Sequence, residues 1–470
     1  MLAAVRSIVL TSPAVRVSAF GRDLTALKAA VTEADRRNAR LVIDIPVTVA
    51  IADENDPVRL PDGLRIDFLG NGSVTWGKFG LPLFWAKNVS GLRINNAVIY
   101  FAGTAETSLP AVTGAFYNDV LDRNANGFPT RDVMAAFGLF GCRDVQFTNA
   151  RFMATDYSGP EKLMQRAVTI SSHENGTPSS DIYFLGVTEL DGVTMGLLAW
   201  GVDGLHIGNM VSKRWGQLSA ASYTWEVACH PIYVSAQAAN ANVSAGQLID
   251  EGTEVAGNTS NGDSHSFKFI AVTGGSVGSI SSRRACGALE WRTKGTVGAP
   301  FTFGPVEWWG AAAASLGTPP INMPGAGTSG LAEYTKFSTI ALHAPSDLTG
   351  SLMTNVSGGS QAADTVRNID FGSVTIEYAG AGHSQSIPLI VGCMSDCLFN
   401  VTVLAPNWVI ANALIVRFDS GGSDNTMDFT TQGPTFASVR FVEQDAASSG
   451  NFATFREYGT ANVRTVGPTA

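Results

Sequence analysis

The chain has 470 residues, enough for one large β domain or two ordinary domains. It is 45% hydrophobic and only 15% charged, which argues against disorder, and its 50 glycines follow no period of three, which excludes a collagen. A net charge of −9 opposes long-range attraction to nucleic acid or to an acidic membrane surface.

The opening stretch "MLAAVRSIVLTSPAVRVSAFG" has an apolar run too short and too interrupted for a signal peptide. No stretch reaches the ~18 apolar residues of a transmembrane helix. The first predicted element is a helix from Asp23 to Arg40. Leu24, Leu27, Ala30 and Val31 form an apolar stripe at helical spacing, Asp23 is the N-cap, and Arg36 and Arg37 sit at the end favoured by the helix dipole.

The period then changes to two. "RLVIDIPVTVAI" (40–51) predicts a strand, and "LPDGLRIDFLGNGSVTW" (60–76) predicts short strands cut by Gly and Asn turns. The same outline continues through "VSGLRINNAVIYFAG" (89–103), "FGLFGCRDVQFTNARFMAT" (137–155) and the long middle stretch 179–216. Asp or Gly opens a strand, two inward apolar residues follow, and Gly or Asn closes it. The full repeat is loose, roughly 20 to 30 residues, as expected of stacked coils. A β-sandwich would need regular hairpins and longer strands, and a TIM barrel or doubly wound sheet would need repeated helices. The expected class is therefore all-β, a parallel β-helix whose open end is capped by the N-terminal helix.

The organisation divides into an N-terminal segment (1–80) with the helix and first strands, a solenoid (81–430), and terminal strands or an oligomer contact (431–470). Polar, turn-rich residues 104–137 and the Gly/Pro/Ala stretch 305–334 are predicted excursions that shape a binding face. The five cysteines, Cys142, Cys229, Cys286, Cys393 and Cys397, are odd in number and show no CxxC pair, so they are expected to be reduced and mostly buried.

The layout resembles the right-handed parallel β-helix of the pectate-lyase-like superfamily. The residues that carry the likeness are "DLTALKAAVTEADRRNARLVIDIP", "LPDGLRIDFLGNGSVTW" and the irregular coils around "HPIYV". Within that superfamily it is similar to bacteriophage tailspike depolymerases. The resemblance implies a homotrimer in a virion tail, acting outside the cell on bacterial capsular, O-antigen or exopolysaccharide. It also implies contacts with phage tail or baseplate proteins. Cleavage would be by glycoside hydrolysis with paired carboxylates. The alternatives are a binding-only β-helix, or a lyase acting on a uronate polymer, whether in a phage or in a secreted bacterial protein. No nucleic acid, membrane insertion, cofactor or metal is expected.

Candidate chemistry gathers at 200–310, which holds Trp200, Trp215, Trp225, Trp291, Trp308 and Trp309. Aligning "VACHPIYV", "DSHSFKF" and "CGALEW" stacks His230 on His265 on Gly287. The same register sets Ile232, Phe267 and Leu289 in one inward column and Val234, Phe269 and Trp291 in another. Tyr233, Lys268 and Glu290 then form an outward column, with neighbouring coils about 5 Å apart. His230 and His265 are expected either to pin turns or to orient a carboxylate or sugar hydroxyl. Hydrolysis needs two acids, and the candidates are Glu226, Asp250, Glu251, Asp263 and Glu290. Asp250 and Glu251 are adjacent and so would face opposite sides of a strand. Arg284 and Arg292, in the basic stretch 281–295, together with Lys268, could hold an acidic polymer. Tyr233, Trp291 and Trp308 are candidate stacking surfaces for sugar rings.

Overall fold

Strands of four or five residues separated by single turn residues cannot bury an apolar face alone. They can do so by stacking in parallel, coil upon coil. A computed structural model of the chain shows this arrangement, a right-handed parallel β-helix. It describes residues 13–51, 56–77, 82–105, 135–172, 177–218, 222, 229–235, 238–256, 265–284, 287–310, 319–323, 332–344, 352–354, 366–380, 390–392, 394–407, 414–418, 423–432, 440–444, 449–457 and 463–466.

Three parallel faces run along the stack. Sheet A starts with Ala14–Arg16 and continues through Arg40–Ile43, Arg65–Phe68, Arg93–Asn95 and Arg143–Thr148. Sheet B stacks Pro46–Val49, Ser73–Trp76, Val98–Phe101 and Arg151–Ala154. Sheet C stacks Val58–Arg59, Phe84–Lys87, Phe137–Phe140, Met164–Ser171, Val193–Ala199 and His230–Val234. Further along, the single strand Phe267–Ser282 turns through all three faces. It pairs with His230–Val234 in sheet C and with Asn240–Glu254 in sheets A and B. Pairing between named strands stays parallel until the last, where Val463–Val466 lies antiparallel on Phe452–Glu457.

The apolar columns expected from the alternation form one continuous core from Val15 to Phe429. Its middle is an aromatic stack. Phe303 lies on Phe337 at 4.7 Å between ring centroids, Phe337 on Phe371 at 5.5 Å and Phe371 on Phe399 at 4.3 Å. Trp291 meets Phe337 edge-on at 5.0 Å. Offset or edge-on pairs of this kind add about 0.5–1.5 kcal/mol each beyond the area they bury.

The corners are as regular as the core. Where most coils enter sheet A, one residue takes the left-handed conformation: Asn38, Gly63, Gly91, Asp144, Asp181, Gly204, Asn242, Gly274, Asn368, Asp396, Asp424 and Gly450. Gly, Asn and Asp are the residues that reach positive φ at least cost. Tyr334 occupies the same place at φ 49 and is the one aromatic among them. At the next residue of one coil only glycine fits, because a Cβ on Gly275 would lie 1.8 Å from the Val243 carbonyl oxygen.

The helix runs Leu24–Arg36, and Asp23 caps it by accepting a 2.8 Å hydrogen bond from the Ala26 amide. It buries Leu27, Ala30, Val31 and Ala34 into the core at the first coils. Burying Leu27 and Val31 stabilises this end by roughly 1.5–3 kcal/mol each. The helix ends short of the expected Arg40, because Asn38 turns to φ 48 and Arg40 already opens a strand. The strand expected over 40–51 is two strands, Arg40–Ile43 and Pro46–Val49. At the corner between them, Asp44 accepts hydrogen bonds from Arg16 at 3.2 Å and Ser18 at 2.8 Å.

The stretch 305–334 is partly built into the coils, through Val306–Trp309 in sheet B and Ile321–Asn322 in sheet C. Most of 104–137 lies outside the described residues. Cys142, Cys229 and Cys397 are free and buried, while Cys286 and Cys393 lie outside the described residues. Burial pushes the Cys142 thiol up to about 11 and that of Cys397 to about 12.

Candidate functional site

The register predicted for sheet C is the one observed. Ile232 pairs with Phe267 and Phe267 with Leu289, while Tyr233 pairs with Lys268 and Lys268 with Glu290. The column points away from the core, yet it is scarcely exposed. Tyr233 is half-buried, Lys268 is 7% accessible and Glu290 5%. The charges are spent on one another. Lys268 Nζ lies 3.0 Å from Glu290 Oε2 and 5.1 Å from the centroid of the Tyr233 ring, and His265 Nδ1 lies 3.2 Å from the same Glu290 oxygen. Neither Glu290 Oε2 nor His265 Nδ1 has a hydrogen-bond partner of good geometry, so these contacts rest on proximity.

Burial alone would raise the Glu290 pKa, but His265 and Lys268 outweigh it and hold the carboxyl below its ordinary value. The histidines pin backbone. His230 Nδ1 is 2.7 Å from the His265 carbonyl oxygen and His265 Nε2 is 2.7 Å from that of Pro319, so each of these ring nitrogens is a donor. Burial pushes the His230 pKa well below its ordinary value, and the nearby Lys268 charge adds to the effect.

Asp250 sits at the end of a sheet B strand and is wholly enclosed. It accepts hydrogen bonds from Arg284 Nε at 2.7 Å, the Ser266 hydroxyl at 2.8 Å and the Gly252 amide at 3.0 Å. Arg284 lies over the Trp215 ring at 4.0 Å, and its carbonyl accepts from Trp308 Nε1 at 2.8 Å. This is an internal clamp across the turn between sheets B and C. Glu251, on the opposite face of the same strand, is exposed.

Several other expectations meet the same obstacle. Arg292 is 0% accessible, Trp291 1% and Trp308 1%, so none of the three presents a surface to a sugar ring. Trp291 belongs to the core stack, as its register beside Phe269 requires. Glu226 and Asp263 lie outside the described residues. The stretch 281–295 is not one basic surface either, because Arg284 and Arg292 are enclosed and Lys294 lies 3.7 Å from Glu333.

An open site appears one face away. At the end of three successive sheet B strands, the outward column reads Trp309, His343 and Glu377, with Leu404 next. Trp309 stacks on His343 at 3.7 Å and 7° between planes, and it is still 41% exposed, so the open area is its other face and edge. His343 Nδ1 is 2.7 Å from Glu377 Oε2, and its Nε2 is 3.6 Å from Glu307 Oε1. Both carboxylates face solvent, with side-chain exposures of 42% for Glu307 and 51% for Glu377.

The column borders a cleft of about 390 Å³, closed by Ala344, Tyr378, Ala379, Leu404 and Pro406. That volume lies in the usual range for small-molecule sites, roughly 300–1,000 Å³. A larger hollow of about 890 Å³ lies between the helix and the early coils, around Asp35, Arg59, Asp62 and Lys87. It offers mixed charges and lacks the aromatic platform of the sheet B cleft.

None of the residues lining the cleft is among the acids expected from the sequence, and Trp308 is the expected stacking surface in place of its neighbour Trp309. The signal was present. "VEWWG", "IALHA" and "VTIEYA" align on inward Val306, Ile340 and Val374, and that parity sends Trp308 inward and Trp309, His343 and Glu377 outward.

No protein-family model and no curated protein sequence matches the chain. Among solved structures, the pre-mature gene product 12 of bacteriophage phi29 is similar at 11% identity and a TM-score of 0.44, over 97% of this chain and 58% of that one. The chain therefore spans little more than half the length of the phage protein. PfbA, a surface adhesin of Streptococcus pneumoniae, is similar at 11% identity and a TM-score of 0.41, over 96% of this chain and 98% of the adhesin. A hyperthermoactive exopolygalacturonase from Thermotoga maritima is similar at 9% identity and a TM-score of 0.29, over 97% and 94% of the two chains. The likeness is one of architecture.

Proposed function

We propose that this β-helix binds a bacterial surface polysaccharide or exopolysaccharide in the Trp309–His343–Glu377 cleft and cleaves it by glycoside hydrolysis. The observation that carries the reading is an exposed tryptophan and the Glu377 carboxylate at an open cleft, with a second solvent-facing carboxylate, Glu307, near the same histidine. A flat indole face and a carboxylate acceptor are what a sugar ring needs, one for its apolar face and the other for its hydroxyls. One oxygen of each glutamate addresses opposite nitrogens of one imidazole. The two oxygens are therefore at most roughly 8.5 Å apart, a bound that admits both the ~6.5–9.5 Å separation of an inverting glycosidase and the ~5–5.5 Å of a retaining one. One glutamate would protonate the leaving oxygen and the other would activate water.

The second reading is a protein that binds and does not cut. Its support is the position of the His343 ring, which fills the gap between the carboxylates where the anomeric carbon and attacking water would have to stand. Hydrolysis then requires the ring to swing away on binding. The biological setting proposed for either reading is that of a phage tailspike, with the chain as a homotrimer on the virion tail acting outside the cell.

The test is incubation with a panel of capsules, O-antigens and exopolysaccharides, with mass spectrometry of the products. Hydrolysis adds water to each fragment, and lyase action gives an unsaturated end. Glu307→Gln or Glu377→Gln should reduce cleavage by about 10²–10⁴-fold while binding persists. Cleavage unchanged in both variants would remove the hydrolytic assignment. Binding that survives Trp309→Ala would remove the cleft itself.

A further inference from the structure

We propose that the open side of Trp309 is a subsite for a sugar ring carrying a single carboxylate, read by Arg283, with uncharged sugars on either side of it in the polymer. The inference rests on the reading that sheet B holds a glycan, and it names the class of one sugar.

The register places the cation. Asp250 pairs with Ser282 and Ser282 with Trp308, so one residue further on Glu251, Arg283 and Trp309 follow one another in the outward column that continues into His343. The Arg283 amide still donates to the Asp250 carbonyl at 3.0 Å, which keeps the ladder in step to that point. The His343 ring covers one face of Trp309, and Arg283 stands on the side of the other. Arg283 is exposed, in contrast to Arg284 beside it, and among the described residues no carboxylate pairs with it. Its guanidinium does not cover the indole either, because the guanidiniums that lie over rings among the described residues are those of Arg59, Arg214 and Arg284. An aromatic face and an unpaired cation thus border the same open space.

Stacking decides which part of a ligand meets that cation. A ring laid on the open face stands about 4 Å above the indole, close to the ~4.8 Å between neighbouring coils, so it lies at the level of the Arg283 coil. The guanidinium then meets the rim of the ring, where a carboxylate projects. Its fork of N–H groups matches both carboxylate oxygens.

The neighbouring acids limit the charge to one sugar. Glu251 is exposed one coil beyond Arg283, and Glu307, two residues before Trp309 on the same strand, faces solvent as well. Glu377 lies on the far side of His343. A glycan running along the stack brings the sugars before and after the stacked one towards these glutamates. A carboxylate there is repelled, whereas hydroxyl and amide N–H groups donate to them. A polymer with an acid on every sugar is therefore disfavoured, and one whose acid is flanked by neutral sugars fits.

The test uses the full-length chain and two pairs of probes, titrated by calorimetry with saturation-transfer NMR as a second readout. The first pair is methyl glucuronide and methyl glucoside. The second is a hexasaccharide of alternating glucuronate and N-acetylglucosamine, and hexagalacturonate. The glucuronide should bind about fivefold more tightly than the glucoside, and the difference should shrink as salt is added. Arg283→Gln should remove the difference, Arg283→Lys should keep part of it, and Trp309→Ala should abolish binding of both. The alternating hexasaccharide should bind about tenfold more tightly than hexagalacturonate, and Glu251→Gln should narrow that gap.

Glucoside binding as tightly as glucuronide, or a preference that survives Arg283→Gln, overturns the role of Arg283 while leaving a glycan site at Trp309. Hexagalacturonate matching the alternating hexasaccharide overturns the limit of one acid. Failure of all four probes to bind, in a chain whose melting curve is intact, overturns the glycan reading together with the class.

Discussion

The outward column of sheet C and the outward column of sheet B obey the same parity rule and have opposite fates. Tyr233, Lys268 and Glu290 point away from the core, and the first is half-buried and the other two enclosed, whereas Trp309, His343 and Glu377 point away from the core and border open space. Both contain a carboxylate, a base and an aromatic ring. In sheet C these groups satisfy one another in a dry setting, with Lys268 and His265 both directed at Glu290. In sheet B the imidazole is shared between two carboxylates that remain wet. The lesson is that alternation gives direction and not exposure. A pair that is enclosed stabilises or destabilises the fold, and a similar pair in water is available to a ligand.

That contrast can be broken at both ends. The largest effect is expected at Glu290. Its replacement by Ala leaves Lys268 enclosed without its carboxylate and should cost about 3–5 kcal/mol, read as a fall in urea midpoint. The double variant Lys268→Met with Glu290→Leu should recover most of the loss. A full loss in the double variant would show that the column acts by shape and not by charge. The equivalent change at exposed Glu377 should move stability by no more than about 1 kcal/mol.

The adjacent tryptophans sharpen the comparison further. Trp308→Ala empties an enclosed site and removes the hydrogen bond to the Arg284 carbonyl, for an expected loss of about 3–5 kcal/mol. Trp309→Ala, one residue on, should cost about 0.5 kcal/mol and abolish glycan binding. Equal melting temperatures for the two variants would refute the assignment of faces.

Acid should act through the sheet C column as well. His230 is held neutral by burial, so below about pH 6.5 the unfolded chain takes up a proton that the folded chain refuses. Glu290 is held ionised, so its contribution is complete above its ordinary pKa of 4.5 and is lost as pH falls through its lower folded value. In both cases the unfolded state binds more protons, and stability should fall as pH drops, first below about 6.5 and again below about 4.5. Urea melts from about pH 3 to about pH 8, which extend beyond both ordinary values, measure this. His230→Gln should flatten the upper part, and an unchanged profile would remove His230 from the account. The smallest expected effect is a gain. Tyr334→Asn relieves a bulky residue at positive φ and should raise stability by up to about 1 kcal/mol.

Much of the fold was legible because a solenoid writes its geometry locally. The helix stripe, the inward columns and the Gly/Asn/Asp corners are all readable within a few residues, and the register of Ile232, Phe267 and Leu289 follows from them. The site was less legible for a physical reason. Whether Lys268 or Trp308 meets water depends on what packs over it, and that is set by coils far away in the sequence. Asp250 shows the limit well. It looked like a catalytic acid beside Glu251, and only the fold reveals Arg284, 34 residues later, enclosed against it. Trp309 and His343 are likewise 34 residues apart by numbering, and one register step brings their rings into contact.

The left-handed corner column has a consequence for how the coils find their places. A slip of one residue in any coil would turn its apolar side chains outward, and it would also move a left-handed position from Gly, Asn or Asp onto whatever residue comes next. In the coil that holds Asn242 that neighbour is Val243, and in the one that holds Asp181 it is Ile182, both β-branched and costly at positive φ. Each misplaced corner would cost about 1–2 kcal/mol, and because coils pair with their neighbours the error would have to be shared or the ladder broken. The corners thus act as a ratchet with a tooth on most turns, so that a newly added coil is checked against the one beneath it.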